Sequence, residues 1–263
     1  APLSPTALRL VVGEVDGRPP AIARLRLLGP KQLLTPTRRY EIAASRTHGA
    51  LFPSSLHQQQ VYWTALGIPA GRQKSLLDAY GNLEPFKGGP MLQAVWRGSD
   101  GKARVADNDP QRRHALRERW MPMPSVEWQG QRDLTIRNEA FALEQNGQPV
   151  TLMRYRLHNR GRRSIDGALS LLVRPLQVNP PWQHGGWSPI RQIAIDEIAG
   201  HTRVRVDDRT LLTSLTPVGA AGAAPFGAHG DTEITAAALR GTPPDARAAS
   251  DASGLAAGML SYP

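Results

Sequence analysis

The sequence predicts a mainly β chain, a large antiparallel β-sandwich with few short helices. Three observations carry that expectation. Short stretches of alternating apolar and polar residues recur along the chain, as half-buried strands require. Asp-Gly and Asn-Gly pairs stand between them, at Asp16-Gly17, Asp100-Gly101 and Asn146-Gly147, where tight hairpin turns need positive φ. Glycine (25) and proline (23) are frequent among 263 residues, which favours many short elements over long helices.

Taken in order, "TALRLVVGEVDGRPPAIARLRLLG" (6–29) reads as two strands around Asp16-Gly17. Residues 30–60 carry prolines and no sustained period, so they read as irregular. "QQQVYWTALGIP" (58–69) is a strand rich in β-formers, in which adjacent Tyr62 and Trp63 face opposite sides, one toward the core and the other able to reach the surface, with core packing expected for both. "RQKSLLDAYGNLEPFKGG" (72–89) has a short apolar pair and turn chemistry at Gly81-Asn82 and Gly88-Gly89. "MLQAVWRGSDGKARVAD" (91–107) is a hairpin turning at Ser99-Asp100-Gly101. "DPQRRHALRERWMPMP" (109–124) is expected to be helical, ended by Pro122 and Pro124.

From residue 125 the strands come at short intervals. "SVEWQG" precedes "DLTIRNEAFALEQNGQPVTLMRYRLHN", which turns at Asn146-Gly147 and sets Met153, Tyr155 and Leu157 opposite Arg154, Arg156 and His158. "GALSLLVRPLQV" (167–178) is nearly continuous apolar, as a central strand covered on both faces would be. "RQIAID", "TRVRVDD" and "TLLTSL" are further strands. The tail from Gly219 is Ala/Gly-rich, 241–254 reads as a loop, and "GLAAGMLSYP" ends the chain on a strand pattern. The resulting division is 1–54, N-terminal strands and linker, and 55–263, the sandwich. The abrupt first and last residues lead us to expect a piece of a longer protein.

Hydrophobic residues make up 40% of the chain, enough for a core and too many for a wholly disordered polymer. The formal charge of +10 raises nucleic acid as a partner. That charge is almost all arginine, spread in pairs such as Arg24/Arg26, Arg154/Arg156 and Arg203/Arg205 that alternate with apolar residues. The pattern is that of a solvated strand face and argues against a nucleic-acid partner. Without cysteine, disulfide and thiolate chemistry are excluded. No apolar run reaches the roughly 20 residues of a membrane-spanning helix, so no membrane span is expected.

Five stretches, "HQQQVYWTALGI", "SLLDAYGNLEP", "RWMPMPSVEW", "RYRLHNRG" and "LSLLVRPLQVNPPWQHGG", carry a resemblance. Together they resemble the β-sandwich region of large bacterial proteins that pair a discoidin-type module with a sandwich and an α/α-toroid domain like that of glycoside hydrolases. The likeness covers residues 55 to 218, and residues 1–50 would be the last strands of the discoidin-like module. It implies a supersandwich, the galactose mutarotase-like architecture, as an accessory domain of a carbohydrate-active parent. Catalytic carboxylates would then belong to the toroid, for which this chain has no paired helices. An exported parent, hence a periplasmic or extracellular setting, goes with that resemblance.

The loop "RPLQVNPPWQHGGWSPIRQI" (174–193) holds the candidate site. A sugar offers an apolar C–H face and a rim of hydroxyls, so its sites use flat aromatics and a few polar partners. Trp182 and Trp187 would be the platforms, with Arg174, Gln177, Asn179, Gln183, His184 and Arg191 as hydrogen-bonding groups. Pro180-Pro181 stiffens the loop, and Gly185-Gly186 allows a tight reversal with close backbone approach. The same residues would equally serve packing against a neighbouring domain of the same chain, and the sequence leaves both open.

A glycosidase needs two carboxylates about 5 Å or about 6.5–9.5 Å apart. Asp207-Asp208, Asp196-Glu197 and Asp107/Asp109 are the candidates; adjacent strand residues point apart, and Asp107-Asn108-Asp109 reads as a helix cap. That segment lacks the Gly and Glu of a calcium loop, and the histidines show no ligand spacing, so no metal and no cofactor are expected. By analogy with sugar mutarotases, His184 with a distant Glu would be the enzymatic alternative. The expected function is thus a non-catalytic sandwich domain that binds sugar or positions a toroid. A self-sufficient sugar enzyme and a polyanion-binding module are the alternatives.

Overall fold

The computed structural model describes residues 35–46, 51–57, 59–227 and 233–263, so the hairpin expected at 6–29 lies outside the described residues. The chain divides into residues 1–35 and a second unit, Pro36–Pro263, to which all that follows belongs.

In chain order the unit begins with α1 (Pro36–Arg46). The strands β1 (Trp63–Leu66), β2 (Ser75–Asp78), β3 (Leu83–Glu84), β4 (Met91–Gly98) and β5 (Ala103–Arg104) follow. Next come β6 (Arg113–Arg117), β7 (Met121–Gln131), β8 (Leu134–Gln145), β9 (Gln148–Asn159) and β10 (Gly167–Arg174). The last part holds β11 (Gln192–Ile198), β12 (His201–Val206), β13 (Arg209–Thr213), β14 (Ala220–Ala224), α2 (Glu233–Arg240), β15 (Ala248–Ser250) and β16 (Ala257–Tyr262). The fold is mainly β and antiparallel, as the sequence predicts.

An eight-stranded sheet is ordered β1-β2-β3-β4-β10-β16-β14, with β5 alongside β4. Two four-stranded sheets, β6-β7-β8-β9 and β13-β12-β11-β15, complete the sandwich. The register of β10 with its neighbours explains the layering. Leu169, Leu171 and Val173 face the smaller sheets, together with Leu92, Ala94 and Trp96 opposite them on β4. There they meet Ile193 and Val204 of one small sheet and Val126, Trp128 and Ile136 of the other. Leu172 and Arg174 point the other way, beside Gln93, Met91 and Met259, toward the face that α2 covers through Ile234, Ala237 and Ala238. Both faces of β10 are therefore buried, which is why its sequence is continuously apolar.

Four expectations are corrected. Residues 109–124 form no helix: β6 and the start of β7 make a hairpin, with Glu118 and Arg119 at positive φ in its turn. Pairing between β7 and β8 begins only at Ser125↔Glu139, so Pro122 and Pro124 stand where β7 pairs with β6 alone and a strand tolerates them. Second, 30–60 is not all irregular. α1 buries Tyr40, Ala43 and Ala44, spaced three and four apart, against Phe52, Met91, Leu176 and Val178. Third, 241–254 is not all loop, because β15 pairs with β11 there. Fourth, Tyr62 and Trp63 are 66% and 40% exposed, and Val61 beside them is the buried residue.

Candidate functional site

The loop after β10 is built by its own backbone. Leu176 bridges Trp187, the Gln177 N–H donates to the Gly186 carbonyl at 3.2 Å, and the Gly186 N–H to the Asn179 carbonyl at 2.7 Å. Residues 181–183 form one 3-10 turn after Pro180, and His184 closes it in the left-handed region at φ 65°. Gly185 lies so close to Asn179 that a Cβ there would sit 2.0 Å from its carbonyl oxygen, and Gly186 has φ +123°. The glycine pair thus has the close approach its sequence predicts.

Two side chains fasten this loop to distant segments. The Gln183 amide makes both backbone bonds of Val61, accepting from its N–H at 3.0 Å and donating to its carbonyl at 2.9 Å. The Glu84 carboxylate accepts from the Val178 N–H at 3.0 Å and from the Gly88 N–H at 2.7 Å. Burial raises the Glu84 pKa, and these two bonds act against the rise.

The eight residues singled out in the sequence separate into distinct roles. Trp182 is 47% exposed, and His184 and Arg191 are exposed as well. Trp187 is turned inward onto the cluster that contains Leu176, Val178 and Leu255. Gln183 is spent on Val61, and Gln177 is half-buried near Gly88. Asn179 is half-buried, with its Oδ1 shut off from solvent and unpartnered. The Arg191 N–H donates to Asp207 at 3.0 Å, beside the β12–β13 turn. Arg174 is fully buried on the helix-covered face of the large sheet and faces no solvent.

What the sequence did not reveal is a buried polar cluster on that helix-covered side. Arg174 donates from Nη2 to Thr235 at 2.9 Å and lies 5.1 Å over the Phe52 ring. Burial pushes its pKa down to about 10, against the pull of Tyr40 and Asp107. Asp78, at the end of β2, accepts from the Tyr80 N–H (2.9 Å), the Asn82 N–H (2.8 Å) and the Asn82 side chain (2.9 Å). Asp107 accepts from the Ser54 N–H at 2.7 Å, and its Oδ2 is buried without a partner. Burial, then the neighbouring Asp107 charge, raises the Asp78 pKa to about 8, and burial raises Asp107 as well. The only signal in the sequence is a polar residue at the end of each of two apolar strands.

These carboxylates are spent on the backbone of segments 52–57 and 78–82, and the Asp107 Oδ2 is shut off from solvent. Most of the other acidic candidates are bound as well. Asp207 and Asp208 form the turn between β12 and β13, Asp196 is held by Arg203 and Arg205, and Asp109 accepts from the Gln111 and Gln129 N–H groups. With no helix after it, Asp109 caps the approach to β6 instead of a helix. Among the described residues no group of three or more His, Asp or Glu could hold a metal ion, and no helix is long and apolar enough to cross a membrane.

A pH dependence follows from Asp78. Unfolding returns its carboxyl to about 4, so between about pH 4 and 8 the folded chain holds a proton that the unfolded chain has lost. Its contribution to stability is therefore full below that window and is lost as pH rises through it. Asp78→Asn should flatten this decline, read as urea midpoints at pH 5 and pH 8.5. An unchanged difference between the two midpoints would show that the decline has another source.

Compared with protein-family models, curated proteins and solved structures, the chain matches none.

Proposed function

We propose that this chain is the non-catalytic β-sandwich domain of a multidomain carbohydrate-active protein. Its 179–187 loop edge would meet a sugar or a neighbouring domain of the same polypeptide. The observation that carries the reading is the Gln183–Val61 clasp. It holds the exposed Trp182 on a segment adjoining the exposed Tyr62 and Trp63. Three large aromatic residues, 47%, 66% and 40% exposed, stand on two segments fastened side by side. Flat aromatic faces open to solvent suit the C–H face of a sugar, with His184 exposed next to them. The binding of Asp78, Asp107, Asp109, Asp196 and Asp207 into structural contacts supports a role other than glycoside cleavage.

Affinity gel electrophoresis in neutral polysaccharides tests the sugar contact. Trp182→Ala and Tyr62→Ala should lower retardation while changing stability by less than about 0.5 kcal/mol, as exposed positions do. Trp187→Ala, which empties part of the core, should cost about 2 kcal/mol, less than a fully buried Trp would. If no neutral polysaccharide retards the intact chain, sugar contact at this edge is lost and domain docking is what stands.

A further inference from the structure

The outer face of the β6-β7-β8-β9 sheet, remote in role from the aromatic edge, has a charge pattern that no function so far uses. Register places Arg113, Glu127, Arg137 and Arg156 in one row across all four strands. Residues paired directly across antiparallel strands share a face, so all four project from the same side. The next row on that side is Ala115, Ser125, Glu139 and Arg154, and Arg160 reaches Glu127 at 3.2 Å. Five guanidinium groups thus stand with two carboxylates. Arg154, Arg156 and Arg160 keep 56%, 58% and 57% of their side-chain surface exposed. The opposite side of the sheet, with Val126, Trp128 and Ile136, is the sandwich core, so the arginine side is the outward one.

We infer that this face binds an acidic polysaccharide, one that carries carboxylates among free hydroxyls. Three features favour that chemistry. The guanidinium fork matches a carboxylate in bidentate geometry. Strands about 4.8 Å apart spread the row of four over about 14 Å, an extended track. Glu127 and Glu139 each spend Oε1 on an arginine, and their Oε2 atoms would accept from hydroxyl groups, which a sugar chain supplies and a phosphate chain lacks in such number. A DNA duplex, with one charge per about 1.7 Å of axis, would set its phosphates against those two carboxylates. The inference does not rest on the aromatic edge, which lies on other elements.

The test is electrophoresis of the chain in gels containing polygalacturonate, a neutral glucan or no polymer, with duplex DNA as competitor, at rising salt. Arg113→Gln combined with Arg156→Gln removes two exposed charges at the ends of the row, the second of them 3.6 Å from Glu139, and leaves the closer Arg154–Glu139 pair and the Arg160–Glu127 pair in place. Near-ultraviolet circular dichroism confirms the fold of the variant. The expected result is retardation by polygalacturonate that weakens with salt and is about tenfold weaker in the double variant. Retardation by neutral glucan should be the same in both proteins. The inference is overturned if polygalacturonate does not retard the parent chain, or retards the variant equally. Stronger displacement by DNA than by soluble polygalacturonate of equal charge would assign the face to nucleic acid instead. Failure of the aromatic edge shows only in the neutral gel, through Trp182→Ala, so the two readings fail separately.

Discussion

Arg174→Ala should lower the stability of this domain by about 3–5 kcal/mol, the range for removing one member of a buried charged network. The side chain is fully buried between the large sheet and the helical layer. Truncation loses the bond to Thr235 and the contact with the Phe52 ring, and it leaves a void that the rigid β10 strand cannot close. It also removes the cation whose field acts on Asp107, so a carboxylate already short of partners becomes harder to ionise. Arg174→Met fills most of the volume with apolar atoms and should lose clearly less than the alanine variant. Urea unfolding of the three proteins at pH 7 provides the comparison. An alanine variant within about 1 kcal/mol of the parent would mean that this cluster contributes little. Because Arg174 faces the helices, the folded fraction of either variant should keep any retardation that Trp182 supports.

Gly185→Ala should be nearly as damaging, at about 3 kcal/mol, the upper end of the usual overpacking cost. The new Cβ would stand 2.0 Å from the Asn179 carbonyl oxygen, a backbone atom that cannot move alone. That same oxygen accepts the Gly186 N–H, so relieving the clash breaks the bond that closes the loop. The variant should unfold at lower urea and also lose the exposed aromatic arrangement, since Trp182 and Gln183 ride on this turn. Gly147→Ala makes a useful contrast: φ is +75° there, but a Cβ would meet nothing within 4 Å, so only the backbone cost of about 1 kcal/mol remains. Equal losses in the two variants would contradict the close-approach account.

The sequence made the strand framework readable where local chemistry and final environment agree. Asn146-Gly147 turns because both residues accept positive φ, at 52° and 75°, and β10 reads as central because both its faces are apolar. The reading failed where the environment overrides local preference. "RRHALRERW" is composed of helix formers, yet β6 is a strand because β7 offers it a ladder. α1 escaped notice because its buried stripe is one tyrosine and two alanines, a weak apolar signal between prolines.

The candidate site was half readable for a related reason. Residues 174–193 do form an organised loop, but the direction each side chain takes depends on partners far away in sequence. Gln183 looked like a sugar ligand and is bound to Val61, 122 positions earlier. Arg174, read as a binding group, was better described by its place in an otherwise apolar strand: a charge there has to be accommodated by whatever covers the sheet.

The Gln183 clasp also bears on strand pairing at the end of the large sheet. Just ahead of β1, the terminal strand of the large sheet, Val61 would offer an open N–H and C=O pair to any passing strand. A side-chain amide is a peptide group in miniature, and here it fills both positions. A single glutamine thus closes the pairing groups of Val61 to an incoming strand, while the rings beside it stay open.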